Sequence, residues 1–211
     1  MRHLVRDQQP PACLGRHRHG AEQWSALTPD ERIEIWTGLD AMQHGRCAYC
    51  EAALPAENRH IEHFRQRHYY PQGTFDWHNL FGSCNRRDSC GNHKDGVGAY
   101  PHQNLIKPDV EDPEHFLLFT PIGSVHARAN LNAAERLRAE ETIRILHLNG
   151  PLQAIRREVL RHYVETAEIL AEVALQEGEE AAHLLLQEEL DAVEQLPHVT
   201  AIRHLLTNQK A

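Results

Sequence analysis

The sequence predicts an α+β protein, mostly helical, in which a small cysteine-held core sits between an N-terminal helix and a C-terminal helical region. Three observations carry that expectation. Four of the five cysteines, Cys47, Cys50, Cys84 and Cys90, fall in one central stretch whose apolar runs are short. A helix-opening signature, Thr28-Pro29-Asp30-Glu31, precedes that stretch, and apolar residues at helical spacing dominate after Asn132. The organisation follows as an arm and helix over 1–44, the core over 45–100, a connecting segment with a short strand over 101–131, and an acidic helical region over 132–211.

The arm carries Gln8-Gln9-Pro10-Pro11 and Arg16-His17-Arg18-His19, has no periodicity and is expected to be irregular. The first helix starts with Thr28 as cap, Pro29 at its first position and Glu31 completing a capping box, with Ile33, Ile35, Trp36 and Leu39 as its apolar face before Gly45. Cys13 is left over as a free thiol. In the connecting segment, Pro108, Pro113 and Pro121 punctuate a single strand-like run, His115-Phe116-Leu117-Leu118-Phe119. Asn132 caps the next helix, which holds Ala133, Leu137, Ile143, Leu146 and Leu148, and Gly150-Pro151 breaks it. One long helix is then expected from Ile155 to Gly178, another from Glu179 to about Pro197, and a tail with Ile202, Leu205 and Leu206 closes the chain.

The 211 residues are 41% hydrophobic and 25% charged, which suits a soluble globular chain. No apolar run approaches the roughly 20 residues of a membrane span, and the first residues lack a secretory apolar stretch, so the expected address is the cytoplasm. The net charge of -8 is awkward for a protein that would hold a polyanion. Its origin is local, because residues 165 to 195 hold ten Asp or Glu and no Lys or Arg. Around the central stretch Arg59, Arg65, Arg67, Arg86, Arg87 and Lys94 make a modest basic patch, too weak to hold a long duplex alone.

Cys47-Ala48-Tyr49-Cys50 is a two-residue knuckle, and Cys84 and Cys90 follow 34 and 40 residues after Cys50. Four thiolates suit a closed tetrahedral zinc site that would join the two ends of a segment poor in core residues; buried thiols without metal are the plainer alternative. Between the pairs lie Ile61-Glu62-His63-Phe64 and Trp77-His78-Asn79-Leu80, and Cys90-Gly91-Asn92-His93-Lys94 completes the set. This inventory suits one-metal phosphodiester hydrolysis. His63 would take a proton from water, Glu62 and His93 would hold Mg2+ or Mn2+, and Asn79 would hold the loop and the His63 ring. Asn85 or Asn92 competes with His93 for the metal-facing position. Arg65, Arg86, Arg87 and Lys94 are candidate phosphate contacts. The chain has 17 histidines, and His60, His68, His78 and His102 read as surface residues, with His60 and His78 able to line the site.

On these residues the chain resembles the HNH endonucleases with a treble-clef, or ββα-metal, active site. More narrowly, Cys47-Ala48-Tyr49-Cys50-Glu51, Ile61-Glu62-His63-Phe64-Arg65, Asp76-Trp77-His78-Asn79-Leu80, Cys90-Gly91-Asn92-His93-Lys94-Asp95 and Ile143-Arg144-Ile145-Leu146-His147-Leu148-Asn149 resemble the HNH subunits of Septu-type and retron-linked anti-phage systems, the PtuB-like proteins. The resemblance spans most of residues 1 to 160. It implies His63 as general base, Glu62 and His93 on the catalytic ion, Asn79 as the middle asparagine and the four cysteines on zinc. It also implies a defence nuclease paired with an ABC/SMC-like ATPase (PtuA-like); DNA is the favoured substrate with RNA as the alternative, and a retron RNA through that complex is left open, since the residues decide neither. Two features depart from the broader pattern: the Cys84-x5-Cys90 spacing, and Gln66 where a proline is expected. A catalytically silent zinc module that binds nucleic acid, and a stand-alone restriction or homing nuclease, are the alternative readings.

Overall fold

Helix α1 (Pro29–Gln43) begins where its capping box places it: Thr28 accepts from the Glu31 amide, and the Glu31 carboxylate accepts from the Thr28 amide in return. The computed structural model describes residues 1–207. Ile35, Leu39 and Met42 form the buried face of α1. Ile33, expected on that face, is 64% exposed, because it lies two residues, about 200° of helical rotation, from Ile35. At the end of α1, the buried Gln43 side chain accepts from the Gly82 amide at 2.7 Å and donates to the Gly82 carbonyl at 2.9 Å, docking the helix onto the next sheet.

That sheet is an antiparallel pair, β1 (Arg59–His63) and β2 (Leu80–Cys84), in the register Arg59 to Cys84 and His63 to Leu80. All of β2 is buried, with α1 and the short helix α2 (Cys90–Gly96) both packed against it. Gly82 is required there, since a Cβ would lie 2.8 Å from the Trp36 ring.

The connecting segment contributes more than one strand. His115 and Phe116, read as strand residues, end a helical turn, α3 (Pro113–Phe116), capped by Asp112; β3 (Leu117–Phe119) then pairs with β4 (Val125–Ala127). Helix α4 (Ala133–Ile145) has the Asn132 cap with Glu135 completing a capping box. The single helix expected after Pro151 is two, α5 (Pro151–Arg161) and α6 (Val164–Gln176), separated at His162-Tyr163 without glycine or proline. Helices α7 (Glu179–Val193) and α8 (Val199–Leu206) complete the described chain.

One apolar cluster runs through all these parts, joining Leu4 of the arm, Ile35 and Leu39 of α1, Phe81 of β2, Leu117 of β3, Ile145 of α4 and Ile202 of α8. The arm is irregular, as its composition predicts, but it is not peripheral: Arg6 is buried, donates to the carbonyls of Trp77 and Leu80 at 2.8 Å, and pairs with Asp109. The acidic helices pack mainly on each other and on α8, burying Leu170 and Val193, while Leu175 (88%) and Leu184 (64%) stay exposed. No helix among the described residues is long and apolar enough to cross a membrane.

Candidate metal centre and active site

The knuckle forms because the chain doubles back over residues 46 to 53. The Cys47 amide donates to the Ala52 carbonyl, the Glu51 amide to the Cys47 carbonyl, and Glu51 takes a left-handed φ of 64° to close the turn. Cys84 ends β2 and Cys90 begins α2, so the four cysteines arrive from three elements. Their Sγ atoms lie within 4.8 Å of one another, all buried, and Cys50 Sγ to Cys84 Sγ is 3.9 Å. A zinc ion with Zn–S bonds of about 2.3 Å in tetrahedral geometry separates its sulfurs by about 3.8 Å, so these residues fit that ion. Burial opposes ionisation of Cys47, but the thiols of Cys50, Cys84 and Cys90 around it outweigh burial and hold it well below the usual thiol range. Four cysteines that could hold a metal such as zinc are therefore gathered where the spacing predicts. Cys13 lies outside the cluster, buried, its Sγ 3.6 Å from the Glu31 carbonyl, and burial pushes its thiol up to about 11.

His63 closes β1. Its Nε2 is 2.9 Å from the Thr74 carbonyl, an acceptor only, so Nε2 carries the proton and Nδ1 keeps its lone pair. Nδ1 makes no hydrogen bond among the described residues. Trp24 packs edge-on against the ring at 4.5 Å, and the side chain is only 5% exposed. Burial pushes the imidazole down to about 4, which keeps it neutral. Asn79 was expected to hold both the loop and this ring; it holds the loop alone. Its Oδ1 accepts from the Arg65 amide at 2.8 Å, and its Nδ2 donates to the carbonyls of Arg65 and Gly73. Thr74 takes the ring instead.

Glu62 faces the other way and is buried against α2. Lys94 Nζ lies 2.8 Å from Glu62 Oε1, both side chains essentially without solvent contact, although the alignment falls short of a hydrogen bond. Burial opposes both charges, yet each holds the other ionised: the Glu62 carboxyl is below its usual range and the Lys94 ammonium above its own. Lys94, expected as a candidate phosphate contact, is thus a core cation paired to Glu62 and to Asp95 at 2.6 Å. Lys94→Met is expected to destabilise the zinc-loaded protein by about 3–5 kcal/mol, since it strands a buried carboxylate. Chemical denaturation measures this, and a loss under about 1 kcal/mol would return Lys94 to the surface.

His93 does not join Glu62 or His63. A helix turns about 100° per residue, so Gly91 and Lys94 share the face of α2 that meets β1, while His93 lies round the helix. Its Nδ1 is 2.9 Å from the Ile145 carbonyl and its ring stacks on His147 at 4.6 Å. The ion expected on Glu62 and His93 would draw on side chains that the structure engages separately, Glu62 with Lys94 and His60, and His93 with Ile145 and His147. Of its competitors, Asn92 donates to the Arg86 carbonyl, and Asn85 meets His60. Arg87 is exposed, Arg86 is half-buried beside Asp88, and Arg65 is half-buried over the Tyr70 ring.

Two participants, Trp24 and Thr74, escaped the sequence reading. Trp24 and Thr74, which hold the His63 ring, also line one surface depression together with Arg67 and Pro71. His60, read as a surface residue able to line the site, lies against Glu62 with Nε2 3.5 Å from Oε2. Strand alternation sets residues 60 and 62 on one face and accounts for that contact.

No protein-family model matches the chain. The chain is similar to the Septu protein PtuB of Bacillus thuringiensis, with 30% identity over 145 residues, which cover 66% of this chain and 51% of that protein. The chain thus spans about half the length of the curated relative it matches.

Proposed function

We propose that this chain is an HNH-type nuclease, an effector of anti-phage defence under the control of an ABC/SMC-like ATPase. The observation that carries the reading is the arrangement of His63 at the end of a β hairpin whose far strand and following helix supply half of a four-cysteine cluster, in a chain similar to PtuB. In this reading β1, β2 and α2 are the ββα-metal unit, and zinc on Cys47, Cys50, Cys84 and Cys90 ties its ends together. Zinc there supplies no reaction chemistry, because four sulfurs leave it no open position.

His63 is the general base. Its protonated Nε2 is fixed on the Thr74 carbonyl, and Nδ1 accepts the proton of a water whose oxygen forms the new bond to phosphorus as the bond to the leaving oxygen breaks. Asn79 keeps the loop from Arg65 to Gly73 in place beneath it. Arg65, Arg86 and Arg87 remain the candidates for phosphate contacts. DNA is the favoured substrate, with RNA the other, since discrimination depends on contacts to the 2′-hydroxyl. The ATPase is the partner implied by the Septu relative, and the acidic α6–α7 pair with exposed Leu175 and Leu184 is the surface offered to it.

A catalytically silent zinc module is the second reading, and the cover of Trp24 over His63 favours it. Plasmid DNA and transfer RNA incubated with the purified chain, alone and with the ATPase, separate the two. Cutting that needs Mg2+ or Mn2+ and stops with EDTA is expected of the nuclease; no cutting under any of these conditions supports the silent module.

A further inference from the structure

Arg156 of α5 is fully buried, yet its hydrogen bonds among the described residues go only to neutral carbonyls: Nε donates to Gly123 at 2.8 Å and Nη2 to Leu148 at 2.5 Å. Its Nη1 is buried with no hydrogen-bond partner among the described residues, and the Phe119 ring 5.4 Å from Cζ adds no formal charge. Both carbonyls are brought there by tight backbone geometry. Gly123 has a left-handed φ of 79°, and a Cβ on it would lie 2.3 Å from the Gln153 carbonyl, so the turn between β3 and β4 presses directly on α5. Leu148 follows His147, whose φ of 50° turns the chain just after the Leu146 carbonyl has accepted from the Cys90 amide at 2.9 Å.

That segment therefore leads from the guanidinium to the cysteine cluster. Burial pulls Arg156 down to about 10, and the groups that hold it up against burial are, in order, Cys50, Glu51 and Cys90. The carboxylate among them is already engaged, since Glu51 meets the Met1 amine and accepts from the Thr200 amide at 3.0 Å. Cys50 and Cys90 are two of the four cluster cysteines. Zinc brings two positive charges to four thiolates, which leaves a buried double negative charge that is costly unless compensated. We propose that Arg156 is the counter-cation of the metal-loaded cluster: Gly123 and Leu148 position the guanidinium, and its free Nη1 edge serves the sulfurs of Cys50 and Cys90. A helix outside the cysteine-bearing segment thereby becomes part of the metal centre. The inference rests on zinc in the proposed reading and not on cleavage of nucleic acid.

Zinc withdrawal from the full chain by a chromophoric chelator, with the sulfur-to-metal charge-transfer band of the Co2+-substituted protein, tests this role. Arg156→Met is expected to lower zinc affinity at least about 10-fold, while Arg156→Lys, which keeps the charge, stays within about threefold of wild type. The charge-transfer band should move to longer wavelength in Arg156→Met, because a cation beside thiolate sulfur holds its electrons more tightly, and should stay in place in Arg156→Lys. Arg138→Met is the control for loss of a structural arginine, since Arg138 pairs with Glu111 and should leave zinc affinity within about twofold. Arg156→Gln, which still donates to a carbonyl, replaces Arg156→Met should that variant fail to fold, with the same loss expected. Wild-type affinity and an unmoved band in the neutral variants, or an equal loss in Arg156→Lys, would overturn the proposal and leave Arg156 as a tie between turn and helix. A wild-type chain that takes up no zinc would remove the zinc reading and this inference together.

Discussion

Cys84→Ser is expected to release zinc and to abolish cooperative folding of the segment around β1, β2 and α2. The residue ends β2, six positions before the cysteine that begins α2, and its Sγ is 3.9 Å from that of Cys50 in the knuckle. Without the fourth sulfur, three elements that share few apolar residues lose their common tie. Structural zinc contributes apparent binding energies of about 10–16 kcal/mol in small finger peptides, which rivals the roughly 5–15 kcal/mol stability of a whole domain. The apolar cluster that includes Tyr49, Leu80 and Phe81 retains part of the fold here, so the expected signature is a broadened, lowered thermal transition with zinc content falling from one per chain to none. Cys13→Ala is the control: an equally buried cysteine outside the cluster should keep its zinc and lose only about 1 kcal/mol. A Cys84→Ser protein that keeps its zinc and its melting temperature would remove the metal from the account.

His63→Ala is expected to lower the rate of cleavage by about 10²–10⁴-fold, the usual contribution of a positioned general base. The structure makes the effect specific to one ring nitrogen. Thr74 fixes the proton on Nε2, so only Nδ1 can accept from water, and Trp24 against the ring limits its rotation. The four-cysteine cluster lies on other elements, so the variant should keep any metal held there and its substrate affinity while losing turnover. A fall in affinity at constant turnover would assign His63 to binding instead.

How far the sequence announced all this differs from residue to residue, for physical reasons. The cysteine cluster was legible because a two-residue knuckle is a local geometric device and thiolates gather on metal regardless of the loops between them. The capping box of α1 and the Asn132 cap of α4 were legible because their bonds close within four residues. The setting of His93 was not legible, because nearness to Cys90 along the chain says nothing about which face of a helix a side chain takes, and α2 turns it toward Ile145. Lys94 looked like a surface cation because its burial depends on Glu62, a residue 32 positions away. The arm gave no periodic signal because it is held by single side chains, Arg6 on two carbonyls and Trp24 on His63, rather than by a repeating face. Strand β4 was too short to show alternation, and the break between α5 and α6 carries no glycine or proline.

The central claim is that His63 makes this chain a nuclease, and one measurement tests it most directly. Wild-type and His63→Ala chains, each with its zinc content verified, are combined with the ATPase and a divalent ion and assayed on plasmid DNA and transfer RNA under single-turnover conditions. The account predicts cleavage of one of the two substrates by the wild type and a loss of at least about 10²-fold in the variant. Equal cleavage by both proteins would contradict it, as would a wild-type chain that binds nucleic acid and its ATPase and cuts neither substrate.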